Sequence, residues 1–183
     1  MEMSTKEAIK RVAIEQFGKK GFHGTSVRDI AKGADCSIPM VYYYYNSKKE
    51  LFDEIVYKEF IRLIERLNSE VERGSSLQDV YFNAIRQRKN LGGYDRSVYR
   101  LAIKVWLGYE EGQEVRHKLM EWERERYERN RKILSKLYQD PEKLDAVTDI
   151  LVGIVQNFTE RILLLEEDLP DEKIRGALEH IMA

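Results

Sequence analysis

The chain has 183 residues, 31 Lys+Arg against 32 Asp+Glu for a formal net charge of −1, 43% apolar residues and a single cysteine, Cys36. That length supports one or two compact domains with a real core, and one cysteine excludes an intramolecular disulfide framework and fits a reducing compartment. Near-neutrality argues against a generic nucleic-acid binder, but the charge is uneven: positions 1–50 hold nine Lys+Arg against six Asp+Glu and the rest 22 against 26, the asymmetry expected when one domain alone meets phosphate.

The opening MEMSTKEAIKR has no hydrophobic signal region, and no apolar run approaches the ~18 to 20 residues that span a bilayer, so a cytoplasmic protein with no membrane partner is expected. Ser4 with Glu7 forms a capping box for a first helix with the stripe Ile9, Val12, Ala13 and Phe17, ended by Lys19-Lys20-Gly21. Thr25 or Ser26 caps a second, whose Val27, Ile30, Ala31 and Ala34 share one face. Asp35 and Cys36 interrupt the pattern, and Ser37 starts a third helix with Pro39 in its first turn, where a missing N–H costs nothing. Val41-Tyr42-Tyr43-Tyr44-Tyr45 alone suits a strand. At about 100° per residue, though, Val41 and Tyr45 point together to a core, Pro39, Met40 and Tyr43 point away, and Tyr42 lies on one flank. Tyr44 and Tyr45 are packing residues on this reading.

Ser47 and Glu50 form a second capping box. Lys48 and Lys49 then occupy a helix N-terminus, where the macrodipole disfavours cations unless an anion docks there. This fourth helix is expected to run to about Glu72, before Gly74-Ser75-Ser76, as the connector between two domains, 1–46 and 47–183. Further helices are expected over Leu77–Lys89, Asp95–Leu107, from Gly112 to Tyr138, from Asp140-Pro141 to about Glu166, and from Asp171 onward. Glu125 with Arg129 and Glu128 with Lys132 are i, i+4 pairs in the favourable order and support the long charged one. The expected product is all-α with about nine helices.

As a joint pattern, Phe17-Gly18-Lys19-Lys20-Gly21-Phe22, Gly24-Thr25-Ser26-Val27, Asp29-Ile30-Ala31, Val41-Tyr42-Tyr43-Tyr44-Tyr45 and Ser47-Lys48-Lys49-Glu50-Leu51 resemble the DNA-binding domain of the tetracycline-repressor (TetR) family. The resemblance implies an N-terminal three-helix helix-turn-helix domain joined to a C-terminal helical ligand-binding and dimerisation domain. It also implies a ligand-responsive homodimer acting on double-stranded DNA, most naturally as a repressor released from a palindromic operator by a small-molecule effector. Asp35 stands where that family usually has Gly, and Asp tolerates the left-handed conformation better than most residues, so the turn is expected to survive.

On this resemblance Thr25, Tyr42 and Lys48 are the phosphate-contact candidates, Thr25 through its hydroxyl or backbone N–H. Ile38, Pro39, Met40 and Tyr43 are the base-edge candidates, apolar enough to favour thymine methyl groups. Aromatic residues of the body, Tyr81, Phe82, Tyr99, Trp106, Tyr109, Trp122 and Phe158, are candidates for an effector pocket, since such cavities are mostly apolar. Leu144, Val147, Leu151, Ile154, Phe158 and Ile162, widened by Val155, form one apolar stripe, and Ile174, Ala177, Leu178 and Ile181 another. Periodicity alone lets these faces pack inside one subunit; the resemblance implies an interface of two helices from each copy, through Leu144, Val147, Leu151, Ile154, Val155, Phe158, Ile174, Leu178 and Ile181.

An enzyme finds little support. His23, His117 and His180 are scattered, with no Cys/His cluster and no nucleophile elbow, so neither metal nor cofactor is expected. Gly18, Gly21 and Gly24 lack the strand-loop-helix context of a phosphate loop and are turn glycines. The alternative of another class is a helical sensor or adaptor that works through protein contacts without specific DNA binding.

Overall fold

The computed structural model describes residues 3–69, 76–108 and 112–182, and among these it is all-helical. Short polar side chains start the helices. α1 (Thr5–Gly24) begins where Ser4 Oγ accepts from the Glu7 N–H at 3.3 Å. α2 (Val27–Gly33) begins where Ser26 accepts from Asp29 at 3.1 Å, and α3 (Ile38–Tyr44) where Ser37 accepts from Met40 at 3.4 Å. Such caps are each worth about 1 kcal/mol. Of the two candidates for the α2 cap, Ser26 takes the role. Gly21, at φ 71°, breaks α1 where Lys19-Lys20-Gly21 predicts its end. Asp35 adopts φ 49° in the α2–α3 turn, the left-handed conformation that the sequence requires of it.

α4 runs through Lys48–Asp53, a π segment Glu54–Glu59, and Phe60–Ser69. Its expected end near Glu72, with Gly74 and Ser75, lies outside the described residues. α5 (Leu77–Gln87) starts from Ser76 and closes in the 3-10 turn Arg88–Asn90. α6 (Gly93–Trp106), α7 (Gln113–Leu134), α8 (Pro141–Leu163) and α9 (Asp171–Met182) follow, so the described residues form nine helices when α4 is taken through its π segment. Two ends come earlier than expected. α7 stops four residues before Tyr138, in a tight turn closed by the Leu137 and Tyr138 N–H groups on the Leu134 carbonyl. α8 stops before Glu166, whose φ of 55° cannot continue a right-handed helix.

The chain forms two compact units, residues 1–63 with 92–119, and residues 64–91 with 120–183. Compactness therefore groups most of α4 and all of α6 with the N-terminal helices, whereas the division expected at 46/47 rests on role. In the first unit α1 packs on α2, α6 and the start of α4, burying Ile9, Ala13 and Phe17. The Phe52 ring meets Phe17 and Phe22 edge-on, each at 5.1 Å between centroids.

In the second unit α5 packs on α9 and α8 around Phe82, Ile85, Leu151, Ile162, Ile174 and Leu178. The residues expected at a dimer interface lie on these same helices. Leu144, Val147, Leu151, Val155, Phe158, Ile174 and Leu178 are already buried inside one subunit, and only Ile154 and Ile181 keep partial exposure. Leu151, Ile174 and Leu178 have no accessible surface left, and burying each such side chain contributes about 1.5–3 kcal/mol to its own subunit's fold. The outward face of α8 is a different one, carrying Ala146, Ile150, Gly153 and Asn157.

Candidate DNA-binding face

The short α3 is held from behind and open in front. Val41 and Tyr45 are both buried, four residues apart and therefore on one side of the helix. Tyr43 is 78% exposed and Tyr42 48%, while Ile38, Pro39 and Met40 also face solvent. Tyr44 is half-buried, its ring edge-on to Tyr43 at 5.1 Å. Five residues that could bury apolar surface instead present it on one seven-residue helix, which packing within the subunit does not explain. All four base-edge candidates lie on this outward face together with Tyr42.

The other two phosphate candidates are placed differently. Thr25 is 2% exposed and its hydroxyl donates to the Gly21 carbonyl at 2.8 Å, so it fastens the break in α1. Of the two routes considered for Thr25, the hydroxyl is taken up inside the fold and the backbone N–H remains. Lys48 is half-buried: its ammonium donates to the carbonyls of Phe22 at 2.8 Å and Thr25 at 2.9 Å and lies 4.2 Å from the centre of the Phe22 ring. Those carbonyls end a helix, the pole that attracts cations. Two of its three N–H donors are used in this way, and the same contacts lock the start of α4 to the end of α1.

Ser47 accepts from Glu50 at 3.0 Å, and Glu50 reaches back to the backbone and side-chain nitrogens of Asn46 at 3.1 and 2.8 Å. This is the expected capping box, shifted by one residue at its return bond. Lys49 donates to Asp53 and Glu114, each at 2.8 Å. The anion expected beside this helix N-terminus is thus supplied in part by the chain itself.

The aromatic residues expected to line an effector pocket fall into both units. Tyr99 is buried and Trp106 half-buried in the first. Tyr81, Phe82 and Phe158 are buried and Trp122 half-buried in the second. Tyr109 lies outside the described residues. The Tyr81 hydroxyl donates to Asn130 at 2.6 Å, and burial pushes it up to about 12. The Arg175 guanidinium lies 3.7 Å over the Phe82 ring. Among the described residues no helix is long and apolar enough to cross a membrane, and no His, Cys, Asp and Glu side chains gather as a metal site.

One feature of the first unit escapes sequence reasoning: a buried polar cluster centred on Glu59. It accepts from Lys10 at 3.0 Å and from the Tyr94 hydroxyl at 3.3 Å, across separations of 49 and 35 residues, which no local periodicity can announce.

Comparison with known proteins follows the same outline. Residues 9–55 match the family described as bacterial regulatory proteins, tetR family. Over 106 residues the chain is 34% identical to "Probable HTH-type transcriptional regulator YttP" of Bacillus subtilis (strain 168), a match covering 55% of this chain and 51% of that protein. The match thus spans about half the length of that relative. Over 51 residues it is 37% identical to the biofilm operon icaADBC HTH-type negative transcriptional regulator IcaR of Staphylococcus aureus (strain Newman), covering 28% of this chain and 27% of IcaR. The crystal structure of a TetR-like transcriptional regulator from Rhodococcus sp. RHA1 has the same fold, with a TM-score of 0.75 at 22% identity over 100% of this chain and 95% of that one. The matched segment takes in most of α1 and all of α2 and α3, so in this part the chain is similar to the bacterial regulatory proteins of the tetR family.

Proposed function

We propose that the chain is a homodimeric DNA-binding repressor whose α3 enters the major groove of a palindromic operator and which a small-molecule effector releases. The observation that carries this reading is the outward apolar and aromatic face of α3, Ile38, Pro39, Met40, Tyr42 and Tyr43, on a helix anchored by Val41 and Tyr45. Apolar side chains there suit thymine methyl groups, with Tyr42, Lys48 and the Thr25 backbone N–H at phosphates. Repression is supported by the likeness to IcaR, a negative regulator.

The dimer forms through the two helices that the sequence singles out, but through their other faces: Ile150, Gly153 and Asn157 of α8 with Gly176 and His180 of α9, all exposed in the single subunit. No atom stands within 4 Å of where a Cβ would be at Gly153 or Gly176, so a partner helix can approach closely. The mechanism is coupling: the effector stabilises an arrangement in which the two reading helices no longer stand about 34 to 36 Å apart, one turn of DNA. Its lining is drawn from Tyr81, Phe82, Trp122 and Phe158 of the second unit.

The test is selection of genomic fragments by the purified chain. Recovery of a palindrome with half-sites about one helical turn apart is the expected result. Salt-independent or absent binding to every duplex would sink the reading in favour of an adaptor that works through protein contacts.

A further inference from the structure

The first unit buries, behind the outward face of α3, charges that a core does not need. Glu59 closes the π segment of α4, and its side chain and that of Lys10 are each only 11% exposed. Besides Lys10 and Tyr94, Glu59 pairs with Arg62, which also reaches Glu54 at 3.7 Å. Lys10 in turn holds Glu7 at 3.0 Å, and Arg11 covers the Tyr94 ring at 4.7 Å. In an unbroken α-helix Glu54 and Glu59 would diverge by about 140°. The wider π turn, which closes i to i+5 and recurs at functional places, brings both within reach of one arginine. Beside them the hydroxyl of Tyr45, the residue that ends α3, is buried among the charges of Glu54, Glu59 and Glu7 and makes no hydrogen bond among the described residues.

Replacing a buried ion pair by apolar residues of similar volume costs little or even stabilises, whereas a charge pair fixes which helix stands against which. Stability alone therefore does not account for Glu59. We infer that Glu59 is a positioning residue for DNA recognition: by tying Lys10 of α1 and Tyr94 of α6 to α4 beside Tyr45, it sets the orientation in which α3 presents its outward face. Glu59 touches no DNA on this account and acts through the helices it joins. The inference rests on the DNA-binding reading above.

The experiment compares the full-length wild type, Glu59→Gln and the double variant Lys10→Met with Glu59→Met on the duplex that the wild type selects, across a range of salt concentrations, with melting followed by circular dichroism. Glu59→Gln is expected to weaken binding about fivefold or more with an unchanged salt slope, because no phosphate contact is lost. The double variant is expected to melt no lower than the wild type and still bind as weakly as Glu59→Gln. If either variant, while folded, binds as tightly as the wild type, or if the salt slope changes, the role of Glu59 is overturned. A wild type that selects no duplex overturns the DNA-binding reading instead.

Discussion

α3 and α8 both carry large apolar side chains at helical spacing and use them in opposite ways. On α8 the stripe from Leu144 to Ile162 is buried within its own subunit apart from the half-exposed Ile154, so packing accounts for nearly all of it. On α3 only Val41 is buried within the helix, and Tyr45 just after it, while Ile38, Met40, Tyr42 and Tyr43 stand in solvent. The lesson is that an apolar stripe is evidence for an interface only after the subunit's own core has taken its share. What remains outside on α3 is too concentrated to be chance exposure, and what remains outside on α8 is not the stripe that the sequence displays most clearly.

Substitutions can break this contrast. The largest effect is expected from Leu151→Ala, at a position with 0% exposure: a loss of about 2–5 kcal/mol of folding stability, read by urea denaturation. Its neighbour Ile150 is 54% exposed, so Ile150→Asp should leave the subunit folded and shift dimer to monomer in sedimentation equilibrium. A dimer that survives Ile150→Asp would move the interface off this face of α8.

Smaller and of another kind are Met40→Ala and Tyr43→Ala. Each should change stability by no more than about 0.5 kcal/mol but alter preference among duplexes by about 1–3 kcal/mol for the contacted base. Identical preferences in a random-duplex selection would remove both from the reading set. Lys48→Ala should weaken binding to all duplexes and lower the salt slope by about 1. Because Lys48 also holds the Phe22 and Thr25 carbonyls, an unchanged slope with weaker binding would assign it a purely internal role.

The smallest effect expected is a pH dependence of the cluster behind α3. Burial opposes the charge on Glu59, but its bonds to Lys10 and Arg62 outweigh that and hold the carboxyl below its usual range. Burial likewise opposes the charge on Lys10, and its bonds to Glu59 and Glu7 outweigh it and raise the ammonium. A carboxyl depressed on folding contributes stability above its unfolded value and loses it as pH falls through the folded one; a raised lysine contributes below its unfolded value and loses it in alkali. Glu59→Gln should therefore lower Tm by a few degrees near neutral pH, and the gap should narrow as pH falls below the ordinary carboxylate range and close once pH has fallen through the depressed folded value, where Glu59 is protonated in both states. A gap with no dependence on pH through the acid range would show that the charge is not what matters.

Local chemistry determined much of this protein without any structure. Ser4, Ser37 and Ser47 cap the helices they were expected to start, Gly21 and Asp35 take the left-handed turns, and Val41, Tyr43 and Tyr45 point as a 100° step requires, because capping, turn conformation and helical phase depend on residues within four positions of one another. Tertiary structure alone decided the rest. Thr25 turns inward and Lys48 bends to the end of α1, the stripe of α8 is claimed by its own subunit, and Lys10, Glu59 and Tyr94 meet across dozens of residues. A side chain's reach and its competition for buried surface are settled only when distant segments of the chain are brought together.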